Sequence, residues 1–338
     1  MFYWHLCFDR TGDGIAIIEP IFIQTMVVGS TDLMTHPDHE MHPRRILSIT
    51  YDPQIPTRGG QKLHELFGWN DPQDLEGKFI QDVSDCSMGR AQFEVVRRVE
   101  VDAFPVKQDG FIYTPEEYLS RWQSRSGFHQ PDTVDYLQIL EDFKVQSQLD
   151  TGLIDEVWLF GFPYAGYYES IMGGPGAFWC NAPALSGTEH WSRKFIVMGF
   201  NYERGVGEML EALGHRAESI LSKVYSGTSE GENMWERFTR YDLSLPGRSE
   251  IGNVHFAPNS ERDYDWGNRR KVLSYCDDWY QFPNFPRQSR WVNCKEWGNG
   301  DTRLHHLWWF KHFPHFDGQW NGISQNWWNY VLDPNCVP

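Results

Sequence analysis

Glu208, Glu211, His215 and Glu218 recur at spacings of three and four in the segment GVGEMLEALGHRAESILSKV. At about 100° per residue, those spacings gather the four on one strip of a helix, within roughly 80° of arc. Three carboxylates beside one imidazole could hold a hard or borderline divalent cation, zinc or calcium. Glu211 and His215 stand i,i+4, like the two ligands of an H-E-x-x-H helix. Here Glu211 replaces the first histidine and Ala212 the general base, so the zinc-protease pattern itself is absent. A further ligand has to come from elsewhere, and His255, in GNVHFAPN, is the lone histidine best suited to be that ligand or a catalytic base. The competing reading is an acidic helix face that only meets water.

A second set of carboxylates, Asp52, Glu169 and Glu203, follows segments that read as strands. Ligands of open α/β sheets collect at such strand ends. Two carboxylates at a suitable separation can hydrolyse a glycosidic bond, one as acid and one as nucleophile or base. Glu203 and Glu169 are therefore acid–base candidates, with Glu208 assisting. Tyr164, Tyr167, Tyr168 and Tyr202 lie close by in sequence, and Trp179 is not far off; their flat faces could stack on a sugar. These acids could equally cap helices or pair with Arg193 and Arg204. His36, His39 and His42 repeat every third residue, but Pro37 and Pro43 break any helix that would align them, and a solvated loop is the plainer reading. His305, His306, His312 and His315 stand among Trp308, Trp309, Trp327 and Trp328. That cluster could form a ligand platform, a surface for self-association or a packed core.

The elements that would position these residues are legible as patterns. Arg45–Tyr51, Glu156–Phe160 and Lys194–Phe200 read as strands, and Gln92–Val106 as a strand with Gly110–Tyr113 as its hairpin partner. Thr114, Pro115, Glu116 and Glu117 start a helix running to about Gln123, because Thr caps, Pro suits the first turn and acids favour the positive end. A second helix fits Val134–Gln148, and Arg204–Val224 is the clearest helix of the chain. Its apolar stripe is Val206, Met209, Leu210, Leu213, Ala217, Ile220, Leu221 and Val224. Gly214 interrupts it at a cost of about 1 kcal/mol relative to Ala, which implies a close neighbour. Strands alternating with helices define an α/β fold, a mixed sheet with packed helices and long irregular C-terminal loops. Residues 1–44 form a β-rich N-terminal segment and 45–338 one α/β domain, unless the whole chain is continuous.

Composition narrows the partners. With 46 acids against 30 bases the net charge is −16, which repels phosphate backbones and disfavours nucleic acid. Nucleotide-binding glycine loops are absent. The run Gly14–Gly29 is too short and too interrupted to span a bilayer, and MFYWHLCFDRTGDG lacks the basic start of a signal peptide. Six cysteines carry no C-x-x-C pair; Cys276 and Cys294 are near enough in sequence to close a loop.

The segments YYESIMGGPGAFWCNAP, MGFNYERGVGEMLEALGHRAESIL and GNVHFAPNSERDYDWGN resemble stretches of an uncharacterised, mostly exported group of bacterial proteins without an established activity. The resemblance implies an extracellular or cell-surface setting and favours disulfides over free thiols; it assigns no residue a role. The expectation is an exported, metal-assisted hydrolase of a glycan or peptide. Glu211, His215, Glu218 and His255 are its metal ligands, Glu203, Glu169 and Glu208 its catalytic acids, and Tyr164, Tyr167, Tyr202 and Trp179 its substrate contacts. The alternative is a non-catalytic glycan-binding or structural surface protein.

Overall fold

A computed structural model describes residues 42–229 and 231–338, which belong to one compact unit, Glu40–Pro338. The β structure expected for residues 1–30, and His36 and His39, lie outside the described residues. Strand β1 (Arg44–Tyr51) leads through a small ribbon of β2 (Gln54–Ile55) and β3 (Gln61–Lys62), then α1 (Leu63–Phe67) and α2 (Pro72–Cys86), to β4 (Phe93–Val101). Helices α3 (Pro115–Ser124), α4 (Tyr136–Asp142) and α5 (Val145–Asp150) precede β5 (Glu156–Gly161), β6 (Ser170–Gly173) and β7 (Phe195–Asn201). Then come α6 (Val206–Val224), α7 (Met234–Phe238), the ribbon of β8 (Val272–Ser274) and β9 (Arg290–Val292), α8 (Thr302–Lys311), the hairpin β10 (His315–Trp320) and β11 (Ile323–Asn326), and α9 (Trp328–Leu332).

The central sheet has the order β4-β1-β5-β7-β6. Its first four strands are parallel and β6 runs antiparallel to β7, so the fold is mixed α/β. β5 is buried at every position, as expected of a strand covered on both faces. β4 lies at an edge and carries Glu94, Arg97, Arg98 and Glu100. Its partner is β1, in parallel, and not Gly110–Tyr113: the Lys107 N–H bonds the Phe111 carbonyl at 2.8 Å in a local turn. The single helix expected over Val134–Gln148 is two, because Lys144 adopts a left-handed φ of 55° between α4 and α5. The start of α3 is as read, with Thr114 and Glu117 bonding each other's backbone N–H.

α6 follows β7 directly. Its apolar stripe packs on β6, β7, α8 and α9. Arg216, also on α6, is fully buried; it donates to Glu156 of β5 at 2.6 Å and to the carbonyls of Val331 and Leu332 of α9. One side chain thus ties helix, sheet and C-terminus together. Trp309, Trp327 and Trp328 are fully buried and pack with Phe310 and Phe313. The core takes these three tryptophans of the C-terminal cluster, while Trp308 is half-buried. The five described cysteines are free thiols, Cys276 and Cys294 included. No helix among the described residues is long and apolar enough to cross a membrane.

Candidate metal centre

The polar strip of α6 does not point into open solvent. Gly214 explains why: a Cβ there would stand 2.6 Å from Val254 Cγ2. The missing side chain lets the loop carrying Val254 and His255 lie against the helix. His255 Nε2 comes to 3.1 Å from His215 Nε2 and 3.2 Å from Glu211 Oε1. His215 Nε2 is 3.9 Å from the same Glu211 oxygen. Glu169 Oε2, from the loop after β5, is 4.0 Å from His215 Nε2 and accepts from Asn181 Nδ2 at 2.6 Å.

Behind each imidazole stands a carboxylate. His215 Nδ1 bonds Glu218 Oε2 at 3.0 Å, and His255 Nδ1 lies 3.1 Å from Asp263 Oδ1. The other oxygen of Glu218 accepts the Val254 N–H at 3.1 Å, so the residue that orients His215 also pins the neighbouring loop. In the tautomer that keeps each proton on Nδ1, toward Glu218 and Asp263, both Nε2 atoms would present lone pairs. Two lone pairs and a carboxylate oxygen would then converge on one point, an arrangement suited to a cation. A tetrahedral ion with ligands at about 2.0–2.1 Å would hold them roughly 3.3 Å apart, close to the shorter two separations seen. Glu211, His215 and His255 thus form a group that could hold a metal ion.

The local electrostatics fit charges held in partial burial. Burial works against the charge of Glu211, but the bonds from His255 and Tyr264 prevail and hold its carboxyl below the ordinary value. Burial likewise opposes a charged His215, yet Glu218, Glu169 and Glu211 together raise it above the ordinary imidazole value. The bond to Glu211 does the same for His255, against burial and the neighbouring ring. Tyr264 reaches into the group, its hydroxyl donating to Glu211 Oε1 at 3.0 Å and lying 3.0 Å from His255 Nε2. Trp266 packs beside it over His305 and His306. Both of these imidazoles are fully buried; burial lowers His305 well below the ordinary value and His306 to about 4.

A cleft of about 690 Å³ opens beside this centre, lined by Tyr164, Glu169, Arg204, Glu208, Glu211 and Tyr264 among others. It lies where the chain leaves β5 and β7, at the carboxyl edge of the parallel strands. Tyr164, Asn181 and Tyr264 all sit at left-handed φ, 63°, 56° and 57°. Backbone conformations of this kind cost of order 1–3 kcal/mol each and cluster at functional sites.

Among the residues expected from the sequence, Glu211, His215, His255 and Glu169 come together. Glu218 does not face the point of convergence; it holds His215 from behind. Glu208 lines the cleft but accepts the Gly205 N–H at 3.1 Å, capping its own helix. Glu203 is outside the lining and pairs with Arg204 at 3.2 Å. Tyr202 is buried, its hydroxyl within bonding distance of the Tyr51 carbonyl and Asp52, so it is a core residue and not a substrate contact. Asp52 also bonds His64, which removes it from the paired carboxylates. Tyr164 is exposed, stacked on Phe128 and part of the cleft. Tyr167 lines it too, with a buried hydroxyl lacking a partner among the described residues. Trp179 is exposed away from the lining, and His42 is exposed. Asp263, Tyr264 and Asn181 escaped the sequence reading, since irregular loops carry no periodicity to mark them.

Cys276, Asp277 and His312 form a second group of suitable ligand atoms. There the Arg290 guanidinium already forks onto both Asp277 oxygens, at 2.6 and 3.1 Å, so the carboxylate is neutralised. Compared with models of protein families, with curated proteins and with solved structures, the chain has no match.

Proposed function

We propose that the protein is a metal-dependent hydrolase in which Glu211, His215 and His255 hold a zinc-type ion and Glu169 acts as the base on water. The observation that carries this is the pair of Nε2 atoms 3.1 Å apart, each ring braced at Nδ1 by its own carboxylate. Carboxylate–histidine pairs of that form fix metal ligands. Two imidazoles and one carboxylate favour zinc over calcium, which prefers oxygen ligands throughout. Such an ion activates water and polarises a carbonyl. Glu169, the next oxygen out, would serve as the base beside such an ion, and the Tyr264 hydroxyl would be the nearby donor to a substrate oxygen.

The bond cleaved is an acyl bond, in a peptide or an N-acylated glycan. Of the carboxylates expected to pair across a glycosidic bond, Asp52 is locked in the core and Glu203 lies outside the cleft, while Glu169 lies beside the candidate metal centre and Glu208 caps its own helix. Asp132, Glu169, Glu208 and Glu211 line the cleft against Arg204 alone, which favours neutral or cationic substrates. The resemblance of its segments to exported bacterial proteins supports an activity at or beyond the cell surface.

The test is elemental analysis of protein reconstituted with zinc, followed by assay on peptide and N-acyl-glycan libraries. About one ion per chain is expected, lost in His215→Ala and His255→Ala, with chelator-sensitive turnover. No ion bound after reconstitution would remove the proposal. An ion bound with ligand binding but no turnover would leave the non-catalytic alternative.

A further inference from the structure

On a chain of net charge −16, one pocket is lined by four arginines. Arg237, Arg240, Arg248 and Arg287 surround a space of about 430 Å³, together with Tyr275 and Glu250. The pocket shares no lining residue with the cleft beside the metal centre. Its single carboxylate is already engaged: Glu250 is buried and bonds Arg237 at 2.8 Å and the Trp279 indole N–H at 3.0 Å. Arg237 is further fixed by stacking on Phe285, 3.7 Å from the ring centre, and forms a rigid floor.

The other three arginines are less committed. Arg240 reaches only Glu236, at 4.0 Å, and that carboxylate is mostly exposed. Arg287 adopts a left-handed φ of 57° and is anchored through its backbone N–H on Asp278. Arg248 is anchored through its backbone N–H on the Leu245 carbonyl. Neither of these two guanidinium groups has a carboxylate partner among the described residues, in contrast to Arg237 and Arg240. Like charges held close together repel unless something lies between them. A guanidinium offers a planar fork that matches two oxygens of a phosphate or sulfate, and repeated use of arginine, without lysine, is the mark of that geometry.

We infer that this pocket binds a tetrahedral oxyanion group, a phosphate or sulfate ester carried by a larger molecule. Arg240, Arg248 and Arg287 hold the oxyanion, and the remaining space takes the group that bears it. The site is independent of the metal centre and stands whether or not that reading holds.

Calorimetric titration of the full chain, at constant ionic strength in sodium chloride, tests this with two probes, inorganic phosphate and a sulfated disaccharide. Binding of at least one probe is expected, weakened tenfold or more in the double variant Arg248→Ala/Arg287→Ala and unchanged in Arg58→Ala, an exposed arginine remote in sequence. Preference for one probe identifies phosphate or sulfate as the natural group. Since Arg248 and Arg287 are exposed, the double variant should keep the parent's circular dichroism; Arg240→Ala provides a second check. Absence of heat with both probes, or binding undiminished in the double variant, would overturn the inference.

Discussion

Neither imidazole of the candidate centre sets its own direction. His215 is aimed by Glu218 and His255 by Asp263, so the carboxylates should matter to an ion they never touch. Glu218→Gln and Asp263→Asn are each expected to lower zinc affinity about 10–100-fold, measured by competition with a chromophoric chelator. Glu218 should show the larger loss, because it also holds Val254. Proton competition gives a second expectation. An imidazole must be neutral to ligate, and in the metal-free chain neighbouring carboxylates raise both His215 and His255. Zinc affinity should therefore begin to fall while the pH is still above the ordinary imidazole value of about 6.5, and keep falling below it. Titrations at stepped pH would show this; an affinity flat down to pH 6 would contradict it.

At the level of elements, the centre is a junction between α6 and the loop that carries Val254 and His255. Gly214→Ala separates the two. The helix gains about 1 kcal/mol of propensity, while the new methyl group displaces Val254 and with it His255. Unfolding in urea should change little, yet zinc binding should weaken by ~10-fold or more. The Arg216–Glu156 pair behaves in the opposite way. Both side chains are almost wholly buried, and removing one partner strands a charge, at about 3–5 kcal/mol. Arg216→Ala should lower the urea midpoint by a corresponding amount, with zinc affinity little changed in the protein that remains folded. The same division explains what could be read in advance. A helix repeats every 3.6 residues, so Glu211, His215 and the gap at Gly214 were visible from spacing alone. A loop has no such period. His255 stood out only as an isolated histidine, and Asp263 and Tyr264 not at all. Glu203 looked as good as Glu169 because adjacency to a strand end does not reveal which side of the backbone a carboxylate takes.

At the scale of the molecule, the aromatic side chains of the described residues resolve into packing more than into a binding platform, and they take histidines in with them. Burial holds His306 and His312 down to about 4, so the folded chain refuses protons that the unfolded chain accepts below about pH 6.5. Their neutral burial costs nothing above that value, and stability is lost as the pH falls from there toward 4, by about 3 kcal/mol for each residue. His215 and His255 act with the opposite sign, at higher pH. A comparison of parent with His312→Gln, in chelator, isolates the effect: the variant's disadvantage in urea midpoint at pH 7.5 should shrink or reverse by pH 4.5. The sheet order was less legible than its strands, since pairing partners are distant in sequence; β4 found β1 and not its neighbour. That placement has a consequence for crowded solutions. Among the described residues β4 leaves one side unpaired, and an open strand invites the same strand of another copy to dock beside it and so on into fibrils. Glu94, Arg97, Arg98 and Glu100 stud that margin with both signs of charge, and a newcomer would have to strip water from them first. Along this edge of the described sheet, the same charges that face water also guard against polymerisation.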